Sequence, residues 1–230
     1  MIRNVLRLSL LAMLLGISSN SLADIIIQPP GLTTGDQYRL AFVTTGRRDS
    51  LSANIADYNS FVTTAANSQL ALSTLNTTWK AIASTTTIDA RVNTGTVQTS
   101  AGGNNGVPIY LLNGTQLASG NDMLWGTSLS TFLMSPLSIT EQGSTRTGVR
   151  VWTGTNAFGV GDDPLGFGTP WYGDSSLSTS GWILAGDRPM GEGYSLYALS
   201  GTLTAVPEPS SFMLVGSLIG LAMVRRRKLH

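Results

Sequence analysis

A chain of 230 residues with no cysteine, and with its one histidine at the last position, His230, has a restricted chemistry. Disulfides, thiol nucleophiles, thiolate or histidine zinc sites and Ser-His-Asp hydrolysis are all excluded from the body of the chain. The formal charge of +1 conceals an uneven distribution: residues 24–206 hold eight Lys/Arg against twelve Asp/Glu, about −4, which leaves no basic stripe for nucleic acid.

The N-terminus reads as an export signal. Arg3 and Arg7 form a basic region, residues 8–17 are an apolar run broken only by Ser9 and Gly16, and Ser21 and Ala23 are small residues at the spacing of a signal-peptidase site. Residues 1–23 are therefore predicted to be a signal peptide, cut between Ala23 and Asp24. Residues 24–205 then form one extracytoplasmic domain of a size that buries ~70% of its extended surface.

Along this domain the pattern is mixed α and β. Residues 38–44 (YRLAFVT) are rich in strand formers. Asn54 is an N-cap candidate with Asp57 in the first turn, and Ile55, Tyr58, Val62 and Ala66 follow at helical spacing, so a helix of about three turns is expected. Residues 79–83 and 88–92 read as strands. Asn113-Gly114 between the apolar runs 109–112 and 115–117 is a strong hairpin signal. Residues 149–152 and 195–205 are late strands, and the glycine-rich stretch 154–193 between them reads as a long irregular loop.

That loop carries the candidate ligand residues. Residues 159–165 (GVGDDPL) fit most of a calcium-binding nonapeptide in which glycines let carbonyls converge and the paired carboxylates Asp162 and Asp163 suit a hard cation. The first glycine is replaced by Phe158, Pro164 lies inside the motif, and the copy is single, so a solvated acidic loop is the alternative. No metal ligand set is assigned, calcium being the one cofactor the pattern admits. Trp171-Tyr172 offers either an aromatic platform for a sugar ring or a plug that seats the loop on the core. Glu141 and Glu192 are the only glutamates of residues 24–206, and a glycosidase needs two carboxylates flanking one bond; no spacing signature joins them, and no catalytic residue is assigned.

After Val206 the chain changes character. Pro207-Glu208-Pro209 is followed by residues 211–224, fourteen without a charge, and then by Arg225, Arg226, Arg227 and Lys228. As a helix the apolar run is only ~21 Å long against a hydrocarbon core of about 30 Å. The basic cluster compensates: it can snorkel to the headgroups and hold the tail on the cytoplasmic side, leaving the domain on the opposite face. The three parts in this order, over residues 206–230, resemble the PEP-CTERM sorting signal of Gram-negative bacteria. The resemblance implies an exosortase as processing partner, acting at Pro207, Glu208 and Pro209 while a short transmembrane helix holds the chain transiently in the inner membrane.

The domain itself resembles a second group. Residues 106–129 (GVPIYLLNGTQLASGNDMLWGTSL), 148–159 (GVRVWTGTNAFG), 180–183 (SGWI) and 196–201 (LYALSG) are similar to a bacterial extracellular domain family related to endostatin and C-type lectin-like folds. This implies a single compact α+β domain with a twisted antiparallel sheet, an early helix and a long irregular loop, with Trp79, Trp152 and Trp182 in or near the core. The calcium-binding triplets of sugar-binding lectins are missing, so the ligand site does not carry over. The function expected is an exported, non-enzymatic surface or exopolysaccharide (biofilm) matrix protein that binds polysaccharide or another surface protein. A carboxylate-dependent polysaccharide hydrolase and a purely structural module are the alternatives.

Overall fold

The computed structural model describes residues 24–98, 105–125 and 133–207. Its elements, in chain order, are β1 (Gln37–Val43), α1 (Ile55–Asn67), α2 (Leu70–Ser73), β2 (Trp79–Ala81), α3 (Ala90–Asn93), β3 (Ile109–Leu111), β4 (Gln116–Ala118), α4 (Asn121–Leu124), β5 (Arg150–Trp152), β6 (Trp171–Asp174), a 3₁₀ turn (Ser180–Trp182), β7 (Gly186–Asp187), β8 (Tyr197–Ser200) and β9 (Leu203–Thr204). The signal peptide through Ala23, the tail residues Glu208 and Pro209, the apolar run 211–224 and Arg225–Arg227 lie outside the described residues. Among those described, no helix is long and apolar enough to cross a membrane.

The fold is assembled on β1. After Gln37 every residue of this strand is buried, which explains why its sequence is a continuous apolar run rather than a strict alternation. The main sheet runs β2-β8-β1-β3-β4, with β9 paired to the start of β1. The expectation of an antiparallel sheet is corrected here: β1 and β3 are parallel, Arg39 opposite Ile109 and Ala41 opposite Leu111. A parallel pair needs a long crossover, and the excursion from Val43 to Ile109, carrying α1 to α3, supplies it. On its other side β1 pairs antiparallel with β8, and β3 turns back into β4 through Gly114 at φ 81°.

Helix α1 forms as its sequence directs. Asn54 accepts from the Ala56 N–H at 3.1 Å, and Tyr58, Val62 and Ala66 form its buried face. The helix docks on β2, where Asn59 accepts from the Ala81 N–H and exchanges amide hydrogen bonds with Asn93. Residues 88–92 are a second correction, because they do not form a strand. Ser84 Oγ accepts from the Ala90 N–H at 2.8 Å, the Thr94 hydroxyl donates back to the Ala90 carbonyl, and Asn93 donates to the Ala81 carbonyl. These polar side chains satisfy one helical turn, α3, and leave Val92 54% exposed.

The stretch 154–193 is likewise more ordered than expected. It contributes β6, the 3₁₀ turn and β7, and with β5 it makes a separate three-stranded antiparallel sheet in the order β5-β6-β7. An aromatic chain joins it to the main sheet. The Trp182 ring lies 6.0 Å from that of Trp125 and 5.6 Å from that of Tyr197 on β8, all three fully buried. Trp79 and Trp152 are buried as well, so one core serves both sheets.

Two buried tyrosines make this core sensitive to alkaline pH. Burial pushes the Tyr58 hydroxyl up to about 12, and that of Tyr197 well above its usual range. A folded state that holds these protons more tightly than the unfolded chain is fully stabilised below pH ~10 and loses that contribution as pH rises above it. Stability is therefore expected to fall by about 3 kcal/mol from Tyr58 alone between pH ~10 and ~12. Urea unfolding of the wild type and Tyr58→Phe at stepped pH checks this: the wild type should lose that amount relative to the variant between pH ~10 and ~12, and parallel profiles would contradict it.

Candidate functional site

Among the described residues, polar surface recesses include two that draw on β5 or the segment that follows it. The first is built on β5 and β6. Arg150 begins β5, exposed beside buried Val151, and its Nη1 donates to the Tyr194 hydroxyl at 3.1 Å. Tyr194 in turn donates a short hydrogen bond to Glu192. The Arg150 guanidinium also stands 5.3 Å from the centre of the Tyr172 ring, while Arg188 approaches the same ring at 5.6 Å. Tyr172 meets Tyr194 edge-on at 5.8 Å. Arg47 completes the recess, a cavity of about 190 Å³ that it lines with Gly148, Val149, Arg150 and Tyr194.

This surface gathers three guanidiniums within a domain of net negative charge. The cross-strand neighbour of Arg150 is Asp174, but the Asp174 carboxylate is turned onto Ser176, accepting from its N–H and hydroxyl. Glu192 is engaged by Tyr194. Among the described residues, the only Arg-carboxylate approaches within 4.0 Å are Arg48 to Asp49 and Arg91 to Asp89, so Arg47, Arg150 and Arg188 have no carboxylate in direct contact. The hydrogen bond to Tyr194 holds the Arg150 guanidinium above its usual range, and burial raises the Tyr194 hydroxyl. Both groups stay protonated at neutral pH. Chemically, the arrangement presents fixed guanidinium donors around two aromatic rings.

The residues singled out in the sequence fall as follows. Trp171 and Tyr172 are consecutive in β6, so their side chains leave opposite faces of the strand and do not make one continuous platform. Tyr172 belongs to the arginine surface. Trp171 is half-buried, and its Nε1 is enclosed without a hydrogen-bond partner. Asp162 and Asp163 are exposed on a turn where Asp163 takes φ 47°, and the Asp163 carbonyl accepts from the Trp171 N–H. Among the described residues no group of three or more metal-binding side chains gathers. Glu141 is buried, 3% exposed, and its carboxylate accepts from the Thr45 N–H and hydroxyl. Glu141 and Glu192 thus have separate partners.

Arg47, Arg150, Arg188 and Tyr194 were not singled out by sequence reasoning. One signal was available: an arginine between two valines in VRV, residues 149–151, marks a charge on the face of the strand opposite the valines.

At the domain's end, the Gln28 side chain holds Val206 from both sides, donating to its carbonyl and accepting from its N–H at 3.0 Å each. Beyond this clamp the chain leaves as exposed Pro207. Residues 205–228 match the family model described as the PEP-CTERM protein-sorting motif. The chain therefore carries the signal of an exported protein processed at the membrane by an exosortase. A comparison with curated proteins gives no match.

Proposed function

We propose that this exported protein is a non-enzymatic binding module of the cell surface or exopolysaccharide matrix, and that its arginine–tyrosine surface contacts acidic polysaccharide. The observation that carries this reading is the set of three guanidiniums, on Arg47, Arg150 and Arg188, that have no carboxylate partner in a domain where acids outnumber bases. Guanidinium forks match carboxylate and sulfate geometry, and tyrosine rings can pack against sugar C–H faces. A C-type lectin-like architecture is part of the reading, supported by the burial of Trp79, Trp152 and Trp182. The hydrolase alternative is weakened by the separate engagement of Glu141 and Glu192. No calcium is required by a contact of this kind.

Affinity electrophoresis through gels containing polygalacturonate or dextran tests it. Retardation is expected only by the acidic polymer, falling with added salt as charges are screened. Arg150→Ala is expected to weaken binding roughly tenfold. Equal retardation by both polymers, or no loss in the Arg150→Ala, Arg188→Ala double variant, would overturn the proposal. Cell fractionation is the companion measurement: the protein is expected with the matrix rather than the inner membrane.

A further inference from the structure

The bond between Asp163 and Pro164 is the only Asp-Pro peptide in the chain, and the fold holds it under strain. Asp163 takes φ 47°, in the left-handed region, whereas a following proline favours extended backbone in the residue before it. Asn76 is the one other non-glycine with positive φ among the described residues, and Thr77 follows it, so Asp163 alone combines both features. Such a conformation persists only where the surroundings impose it. Here they do so from both sides. Asp162 N–H donates to the Gly154 carbonyl at 3.3 Å, and Leu165 N–H donates to the Ser84 carbonyl at 3.0 Å. Leu165 is fully buried, and a Cβ at Gly154 would stand 2.6 Å from the Leu165 nitrogen and 3.0 Å from the Pro164 carbonyl carbon. The loop is pinned.

The groups around this bond suit its scission. The Asp163 carbonyl oxygen accepts from the Trp171 N–H at 3.1 Å. This main-chain donor, fixed at the start of β6, polarises the carbonyl and opposes negative charge that arises on its oxygen. The Asp163 side chain is exposed and, among the described residues, its carboxylate holds no hydrogen bond or ion pair, so nothing keeps it from its own carbonyl carbon. Pro164 lines the second recess, of about 250 Å³, together with Thr85, Asp89, Val92 and Gly161, which opens the proline side of the bond to water. Proline also has no N–H, so the competing ring closure of a main-chain amide onto the carboxyl is blocked.

We infer that the domain cuts its own chain between Asp163 and Pro164. A carboxylate oxygen of Asp163 attacks the Asp163 carbonyl carbon and closes a cyclic anhydride. The C–N bond to Pro164 breaks, and the proline nitrogen takes a proton from solvent and leaves as a secondary amine. A water molecule then adds to the anhydride, restoring the side-chain carboxyl and giving Asp163 a main-chain carboxyl. The sum is hydrolysis of one peptide bond. Breaking it frees Asp163 from the restriction that proline imposes, so the strain of the intact loop favours the step. The two pieces stay together. The piece that begins at Pro164 carries β6 to β9, and β8 lies between β2 and β1 of the main sheet while β6 pairs with β5. The sorting signal at residues 205–228 belongs to that second piece, so the first is held at the membrane only through these strands.

Intact-mass measurement on the purified full chain tests this, after incubation in mildly acidic buffer, because the departing nitrogen needs a proton, and denaturation without heating. Two pieces are expected, one ending at Asp163 and one beginning at Pro164, with masses that sum to the parent plus one water. On size exclusion they should co-elute until denatured. Cleavage should be at least roughly tenfold faster than in the same chain unfolded in urea in that buffer, since only the fold imposes the positive φ and the Trp171 donor. Asp163→Asn accepts the same φ, so it should melt like the wild type and stay intact. Asp162→Ala should be cut like the wild type, which places the nucleophile on Asp163. The inference fails if the folded chain is not cut at this bond, if the urea-unfolded chain is cut as fast, if Asp163→Asn is cut like the wild type, or if Asp162→Ala stays intact.

Discussion

Replacing Gly173 by alanine is expected to destabilise the domain by about 3–5 kcal/mol, at or above the upper end of ordinary overpacking effects. Gly173 lies in the middle of β6, opposite Val151 of β5. A Cβ there would stand 1.8 Å from the Trp182 carbonyl oxygen, 2.5 Å from its carbon and 2.9 Å from Ile183 Cα. All three are backbone atoms, so no rotamer change relieves the contact. The 3₁₀ turn would have to move, and with it the Trp182 ring that packs on Trp125 and Tyr197. Thr153 would also lose its 2.7 Å hydrogen bond to the Ile183 carbonyl. A domain whose whole stability is ~5–15 kcal/mol would surrender a large part of it. Gly191→Ala is the control: a Cβ there meets nothing within 4 Å and its φ is not in the left-handed region, so an effect within about 0.5 kcal/mol is expected. Urea midpoints of the two variants within that margin of each other would refute the argument.

Gly173 also illustrates what can be read from a sequence and what cannot. Helix α1 was legible because its determinants are local: a cap at Asn54, an acid at Asp57, and buried residues four apart at Tyr58, Val62 and Ala66. The hairpin at Asn113-Gly114 was legible for the same reason. Residues 88–92 misled because Ile88 and Val92 are β-branched, whereas the turn they form is held by the hydroxyls of Ser84 and Thr94. The parallel pairing of β1 and β3 depends on contacts that no short window contains. Strand β6 was hidden among glycines, yet one of those glycines exists to let a carbonyl approach. The candidate sites were harder still. Trp171 and Tyr172 drew notice as neighbours, but neighbours in a strand face apart, and the partners of Tyr172 are Arg150, Arg188 and Tyr194.

Loss of Arg39 is also expected to be costly, about 1–3 kcal/mol, although it touches no carboxylate. Arg39 sits in β1, 7% exposed, with Nε donating to the Ser200 carbonyl at 2.6 Å and Nη2 to the Thr94 carbonyl at 2.7 Å. It thereby fastens the end of β8 and the end of α3 to the central strand. Burial lowers its guanidinium to about 10, so it is still charged at neutral pH, and the folded state bears a desolvation penalty of roughly 3 kcal/mol there. Arg39→Met removes that penalty but strands two carbonyls in the core, and each unpaired group costs about 1–3 kcal/mol. Arg39→Lys should not rescue, because a single ammonium on a flexible stem does not reproduce a fork that spans two acceptors. The pH dependence distinguishes this from simple loss of packing. A base whose folded pKa is lowered is bound more tightly by the unfolded chain, so its penalty is relieved as pH rises above about 10. In the wild type this gain opposes the loss from Tyr58 over the same range. Arg39→Met should therefore be less stable at pH ~7 and also decline more steeply between pH ~10 and ~12. Equal stability at neutral pH, or parallel alkaline profiles, would show that the guanidinium does not hold the two carbonyls as the geometry requires.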